Sequence, residues 1–315
     1  MIELFEQDIL LNDRQSSKGN QLKWQSQNGI WCKADYTGYE GLVEYLVSCL
    51  LGYSSLKRNE YVFYQTEKIH YKYKDYLGGK SENFLPDGWK IITLERLFET
   101  MKGESLAKSV YHMPDVRERI RYMVEQTEQL TGLREFGVYI SKLMTIDALF
   151  LNEDRHTHNI AVLLDDCDQF HYCPIFDNGA SLLSDTIQDY PMEEKIQDLV
   201  KRVKAKTFHD DFDEQLDTVE ELYGRQIRFH FDRAIVEKII AEETVRELMD
   251  LLTERQRQMI QRIYFQQKTQ KEVSHELGIT VPAVSKCISQ AMQKMRNNSD
   301  DSARALEKGD WKYAW

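Results

Sequence analysis

Two short acidic motifs carry the strongest chemical signal in the chain. Asn152-Glu153-Asp154-Arg155-His156-Thr157-His158-Asn159 is followed, after two short apolar runs, by Ile175-Phe176-Asp177-Asn178-Gly179. Transfer of a phosphoryl group needs a carboxylate near the acceptor hydroxyl and oxygen ligands for magnesium on the β- and γ-phosphates. Asp154 and Asn159 have the Asp-x-x-x-x-Asn spacing that supplies both from one loop. Asp177 and Gly179 form an Asp-x-Gly element, in which the carboxylate meets Mg²⁺ and the glycine permits the sharp turn.

The same chemistry needs a lysine that grips the α/β-phosphates and is held by a glutamate on a helix. Lys33 ends an apolar run that reads as a strand, and Glu44 lies on the helix that follows, with Glu40 one turn earlier as the alternative. Sequence spacing leaves the choice between the two glutamates open. Upstream, Ser16-Ser17-Lys18-Gly19-Asn20-Gln21 separates two apolar segments and suits a phosphate-covering loop, with Lys18, Gly19 and Asn20 as its nucleotide-binding residues. It is not a GxGxxG loop.

Several elements must position these groups. Leu22–Trp24 and Gly29–Ala34 flank a polar turn and predict a hairpin that carries Lys33. Leu42, Val43, Leu46, Val47, Leu50 and Leu51 follow helical spacing over Tyr39–Leu51, with Gly52 as the stop. Tyr61–Gln65 and Lys68–Tyr73 read as two further strands. From Leu94 the pattern turns helical, and Phe136–Leu151 is an apolar helix leading straight into the Asp154 loop. Ile160–Leu164 and Phe170–Phe176 read as strands around the turn Asp165–Asp168, returning the chain to Asp177.

NEDRHTHNIAVLL and PIFDNGASLL, with the Lys33 strand and the polar loop before it, resemble HipA-like kinases, bacterial Ser/Thr kinases distantly related to phosphoinositide kinases. The resemblance covers roughly 15–223 and is best between Asn152 and Leu183. It implies Asp154 as catalytic base, Asn159 and Asp177 as metal ligands and Lys33 as the nucleotide lysine, with ATP and Mg²⁺ as cofactors. HipA-like toxins carry an N-terminal domain before the kinase core, whereas here the loop already begins at Ser16. A toxin role and a paired antitoxin therefore do not follow from the resemblance.

Each motif has a plainer reading. A lone Asp-x-x-x-x-Asn is commonly a capped loop, and Asn-Gly a turn. What favours chemistry is their combination in the right order after a buried helix, with a lysine strand upstream. His156, His158 and His171 suggest zinc, but no further ligand has suitable spacing. One of these histidines fits better as a hydrogen-bonding support for the Asp154 segment. The acidic runs Asp165–Asp168 and His209–Glu214 read as solvated faces, lacking the regular spacing of a calcium loop.

Five cysteines (Cys32, Cys49, Cys167, Cys173, Cys287), scattered and without a CxxC pair, argue against a disulfide framework or a cysteine zinc site. No run of eighteen apolar residues predicts a membrane span, and the acidic start does not read as a signal peptide, so a cytoplasmic location is expected. The net charge of −11 disfavours nucleic acid as a partner of the whole surface. The C-terminal stretch departs from that balance: Thr253 to Asn297 holds eight Lys/Arg against three Asp/Glu.

That basic stretch patterns as three helices. Thr253 is a candidate N-cap, Gly278 a turn, and Thr280 the cap of a last helix with Val281, Val284, Ile288 and Met292 or Met295 facing inward. TQKEVSHELGITVPAVSKCISQAMQKMR resembles the region-four helix-turn-helix of sigma factors. The resemblance implies Thr280, Pro282, Ala283, Ser285, Lys286 and Ser289 at or near the major groove. Lys268, Lys271, Lys294 and Arg296 would approach phosphates. DNA or RNA polymerase is the implied partner.

The expected architecture is α+β: a two-lobed protein-kinase-like domain followed by an all-α helix-turn-helix domain. The boundaries are a strand-rich N-lobe over 1–75, a larger helical C-lobe over 76–245, the helix-turn-helix over 246–298 and a tail over 299–315. The expected activity is ATP-dependent transfer to a Ser or Thr of a protein substrate, the chain itself included. The alternatives are a transcription regulator with an inactive kinase-like body and a kinase of a lipid or small molecule.

Overall fold

A computed structural model describes residues 2–3, 21–26 and 29–298. Chain contacts divide it into two compact units, Met1–His230 and Phe231–Trp315. The first is mixed α+β, with a strand-rich N-terminal region and a helical remainder, and the second is all helix.

The strand-rich region is a five-stranded sheet. Its strands are β1 (Ile2–Glu3), β2 (Lys23–Gln25), β3 (Ile30–Ala34), β4 (Tyr64–Tyr71) and β5 (Lys74–Glu82), in the order β1-β4-β5-β3-β2. The expected hairpin forms, with Lys23 opposite Lys33 and Trp24 opposite Cys32. Trp24, Cys32, Ala34, Ile69 and Tyr71 close one face of the sheet. One strand, β4, covers most of the two expected over 61–73. Lys72 and Tyr73, at φ 47° and 63°, then turn the chain back into β5. Positive φ at both central residues matches the right-handed twist of hairpin strands. The Gly78-Gly79 pair hid β5 from a propensity reading, so the sheet runs beyond the expected lobe boundary at 75.

Helix α1 (Glu40–Leu51) lies on this sheet, packed against β4 and β5. Close approach requires glycine at the crossing. A Cβ on Gly41 would fall 2.2 Å from the Gly78 carbonyl carbon, and one on Gly78 would fall 2.1 Å from the Lys33 carbonyl oxygen. Helix and lysine strand are therefore held at a spacing that larger residues would not allow.

The helical region starts with β6 (Lys90–Thr93), which pairs with β7 (Ala161–Leu164) and, beyond it, β8 (Phe170–Tyr172). Between β6 and β7 run α2 (Leu94–Lys102), α3 (Leu106–Tyr111), α4 (Val116–Thr131) and α5 (Phe136–Phe150). Thr93, Ser105 and Asp115 cap three of these helices by accepting a backbone N–H three residues on. Helix α5 buries ten residues, among them Ile140, Leu143 and Met144, and ends at Leu151 in the left-handed region (φ 56°). After β8 come α6 (Ile196–Val200) and α7 (Phe212–Tyr223), the latter packed on α5.

In the second unit, α8 (Arg233–Asp250), α9 (Glu254–Ile260), α10 (Gln270–Leu277) and α11 (Val281–Arg296) enclose one core. Met259, Ile260, Val273, Val284, Ile288, Ala291 and Met295 meet Val245, Leu248 and Met249 there. Because α8 contributes to this core, the division falls at 230/231 rather than at the expected 245/246. Thr253 and Thr269 form capping boxes with Gln256 and Glu272, and Gly278 ends α10 at φ 62°. A single π turn, Gln261–Phe265, extends α9. No helix among the described residues is long and apolar enough to cross a membrane.

Candidate phosphoryl-transfer site

Lys33 projects from β3 into a cavity that Glu44, Asp154, Asn159, Asp177 and Lys23 also line. Its Nζ lies 2.6 Å from Asp177 Oδ1 and 3.4 Å from Glu44 Oε1. The other oxygen of Glu44 accepts the backbone N–H of Asn178 at 3.0 Å. A carboxylate on α1 thus joins the lysine strand to the loop that carries Asp177. Glu40 has a local role instead: it accepts from the Thr37 amide at 2.8 Å, the Thr37 hydroxyl at 2.9 Å and the Tyr36 amide at 3.2 Å. Geometry separates two glutamates that spacing left equivalent.

The charges in this cluster are strongly coupled. Burial disfavours the Asp177 carboxylate, but Lys33 and then Lys23 hold it well below its usual range. Burial likewise opposes the Lys33 ammonium, and Asp177, with Tyr64 and Glu44, lifts it well above its usual value. Glu44 is pushed up by burial against the pull of Lys33, and Asp177 adds to the rise. Lys23 sits lower than usual: Asp177 holds its proton on, while burial and the nearby Lys33 charge drive it off. Lys23 was not singled out by motif reasoning. Its signal is register, since it stands directly across the hairpin from Lys33.

The Asp154 loop is built outward from α5. Asn152 donates to Asp147 Oδ1 at 3.0 Å and accepts the Asp154 amide at 3.2 Å. Asn159 Nδ2 donates to the Asp154 carbonyl at 2.8 Å and approaches Asp154 Oδ2 at 3.4 Å. With the nitrogen so engaged, the amide oxygen of Asn159 is its free donor atom. His156 Nδ1 accepts the His158 amide at 3.2 Å, and its Nε2 stands 3.9 Å from Asp154 Oδ1. Burial lowers His156 below its usual value despite Asp154. Thr157 donates to Glu95 at 2.8 Å, which fastens the loop to the start of α2.

Two buried residues that motif spacing did not single out hold the arrangement. Arg155 and Asp147 are each 1% exposed. Arg155 Nε donates to both Asp147 oxygens at 3.1 and 3.2 Å. Its Nη1 donates to the Phe176 carbonyl at 2.7 Å and the Asn159 carbonyl at 3.2 Å, and its Nη2 to Asn178 Oδ1 at 2.7 Å. Thr207 donates to the Arg155 carbonyl, giving a contact to the Ala205–Phe208 stretch. Asp177 itself has φ 61°, a left-handed conformation uncommon for a non-glycine residue.

The expected phosphate-covering residues Lys18, Gly19 and Asn20 lie outside the described residues, and Gln21, the next position, lines the cavity. His171 pairs with Asp165 at 2.8 Å and stacks on Trp89, away from His156. Among the described residues the one acidic and thiol group close enough to share an ion is Asp165, Asp166 and Cys167, a mostly exposed turn without a histidine. None of the five cysteines is in a disulfide.

In the second unit Thr280 caps α11 by accepting the Ala283 amide at 3.4 Å. Thr280, Pro282, Ser285, Lys286 and Ser289 are exposed along one stretch of α11, and Ala283 is half-buried. Lys271 and Lys294 are exposed, whereas Lys268 is engaged by Glu276 at 2.7 Å. The side chain of Arg296 lies outside the described residues.

The family sigma-70, region 4 matches residues 248–297. That match spans α9 to α11 and the end of α8. In overall structure the chain is similar to the Helicobacter pylori proinflammatory kinase CtkA, at 16% identity. The likeness covers 76% of this chain and 86% of that one, with a TM-score of 0.47. No curated protein sequence matches the chain.

Proposed function

We propose that the first unit is a Mg-ATP-dependent protein Ser/Thr kinase of HipA-like type, and that the second unit ties it to DNA or to RNA polymerase. The observation that carries the kinase reading is the convergence of Lys33, Glu44, Asp154, Asn159 and Asp177 on one cavity. They come from β3, α1 and two loops, so no single motif accounts for their meeting. The match of 248–297 to sigma-70, region 4, together with the exposed face of α11, supports the transcription link.

The donor set suits magnesium. Asp177 is held in its ionised form, and the Asn159 amide oxygen is left free, both of them hard oxygen donors. Bound there, the ion would neutralise charge on the transferring phosphates. Lys33 would turn from Asp177 toward the α/β-phosphates while Glu44 keeps hold of it. Asp154 would take the proton of the acceptor hydroxyl, its backbone fixed by Asn159 and Asn152. Positioning and charge stabilisation then supply most of the rate.

The test is incubation of the full chain with γ-labelled ATP and Mg²⁺ beside an Asp154→Ala/Asp177→Ala double variant. Acid-stable label on the wild type alone supports a Ser/Thr kinase that modifies itself. Turnover without protein label sends the reading to external substrates, a lipid or small molecule included. Nucleotide binding with no turnover overturns the enzyme and leaves a nucleotide-binding regulator.

A further inference from the structure

Arg155 has more hydrogen bonds than its ion pair requires. A buried guanidinium needs a counter-charge, and Asp147 alone meets that need through Nε and Nη2. The remaining N–H groups go to the carbonyl of Asn159, the carbonyl of Phe176 and the side chain of Asn178. One of these belongs to the first oxygen donor of the ion site. The other two flank the second donor, Asp177, on either side in sequence. Among the described residues Asn152 also reaches both loops, accepting the Asp154 amide at 3.2 Å and donating to the Asp177 carbonyl at 3.5 Å. Arg155 makes three such bonds, and the anchor behind it, Asp147, belongs to the buried helix α5.

We propose that Arg155 is a positioning residue that sets the spacing of Asn159 and Asp177, and with it the cation that the site accepts. The inference rests on the phosphotransferase reading above. A planar guanidinium fixes three acceptors at once at angles set by its fork, which a lysine ammonium cannot do. Ion choice depends on such rigidity: Mg²⁺ demands near-octahedral oxygens at about 2.0–2.1 Å, whereas Ca²⁺ accepts about 2.3–2.6 Å and irregular geometry. A rigid pair of donors held by Arg155 favours the smaller ion, and a loosened pair loses that preference. A residue needed only for folding would lower stability without changing the ratio between ions.

The experiment is calorimetric titration of a non-hydrolysable ATP analogue into the full chain, without metal and at graded Mg²⁺ or Ca²⁺, for wild type, Arg155→Lys and Asn178→Ala. In Arg155→Lys the Mg²⁺ concentration for half-maximal enhancement should rise about tenfold or more. The Ca²⁺ value should change far less, and metal-free affinity, which depends on Lys33, should stay the same. Asn178→Ala removes one of the three tethers without leaving a buried charge unpaired, so it should move the Mg²⁺/Ca²⁺ ratio the same way by a smaller factor. An unchanged ratio in a folded Arg155→Lys overturns the proposal. If that variant does not fold, an unchanged ratio in Asn178→Ala overturns it. Metal-independent analogue binding in the wild type overturns the phosphotransferase reading and this inference together.

Discussion

Lys33 and Asp177, 144 positions apart in the chain, meet at 2.6 Å with Glu44 beside them. Two carboxylates therefore share one ammonium in a largely buried setting. Replacing Lys33 by Met leaves Glu44 without its lysine and Asp177 with only the Lys23 and Arg155 charges. Breaking such a pair should cost about 2–4 kcal/mol at pH 7, below the fully buried figure because the pair is partly exposed. The pH dependence should also change. In the wild type Asp177 is depressed, so its stabilisation is present above the usual carboxylate value and is lost as pH falls below it. In Lys33→Met Glu44 rises further and Asp177 loses the largest charge that depresses it, so the variant should lose less stability than wild type, or gain some, as pH falls from 7 toward 5. Urea midpoints at pH 7 and pH 5 check this. A variant as stable as wild type at pH 7 would remove the ion pair from the account of the fold.

Asp154 Oδ2 stands 3.4 Å from the Asn159 amide nitrogen, and Asp154 Oδ1 stands 3.9 Å from His156 Nε2. Substituting Asn keeps the volume and removes the base. The transfer rate should fall by about 10²- to 10⁴-fold, the usual contribution of a positioned base. Nucleotide affinity should change little, because Lys33 and Glu44 are untouched. Single-turnover kinetics beside equilibrium nucleotide binding separates the two quantities. A parallel loss of both would mean that Asp154 binds rather than catalyses.

The convergence of these residues on one cavity was expected from sequence, because the proposed chemistry calls for fixed residue types at fixed spacings. Asp154 and Asn159 sit on one loop, and Asp177 precedes a turn, so local pattern suffices for them. What spacing could not resolve was decided by packing. Glu40 and Glu44 lie one helical turn apart, and it is the docking of α1 on the sheet, with Gly41 close against Gly78, that shows Glu44 beside Lys33 and Glu40 on the Tyr36–Thr37 turn. Arg155 and Asp147 were invisible for another reason. A buried arginine within a polar run reads as solvated until the acid on the preceding helix is seen behind it. Strand β5 escaped because its paired glycines, which lower strand propensity, are the feature that lets α1 settle on the sheet.

Asp35 offers a test of the junction between β3 and α1. Its Oδ1 accepts the Gly41 amide at 2.7 Å, and burial, opposed by that bond and reinforced by Glu40, pushes it up to about 7 from 3.8. The folded chain therefore keeps a proton that the unfolded chain has lost between these values, and stability falls as pH rises through that window. Above about 7 the loss is complete. Asp35→Asn keeps an oxygen for Gly41 but carries no charge. It should flatten this slope and gain about 1–2 kcal/mol at pH 8, the full shift being discounted for partial exposure. Denaturant midpoints of both proteins between pH 4 and pH 8 provide the measurement. An equal slope in the variant would mean that other groups set the pH dependence.

The second unit should contact DNA through some of its basic residues and not others. Counterion release makes log affinity fall with log salt by about 0.9 for each phosphate neutralised on a duplex. Lys271 and Lys286 are exposed, whereas Lys268 is held by Glu276, which Arg262 also approaches at 3.4 Å. Lys268 must break that pair to reach a phosphate, so it begins with a disadvantage the other two lack. Lys271→Ala and Lys286→Ala should each reduce the salt slope by about one unit, and Lys268→Ala by much less. Anisotropy titrations with duplex DNA from 50 to 200 mM salt, on the order of the range in which such contacts are best resolved, read the slopes directly. If the wild type shows no salt-dependent binding to any duplex, the second unit works through protein contact, and RNA polymerase becomes its expected partner. If Lys268→Ala proves as costly as the others, Glu276 releases it on binding, and Glu276→Gln should then raise affinity.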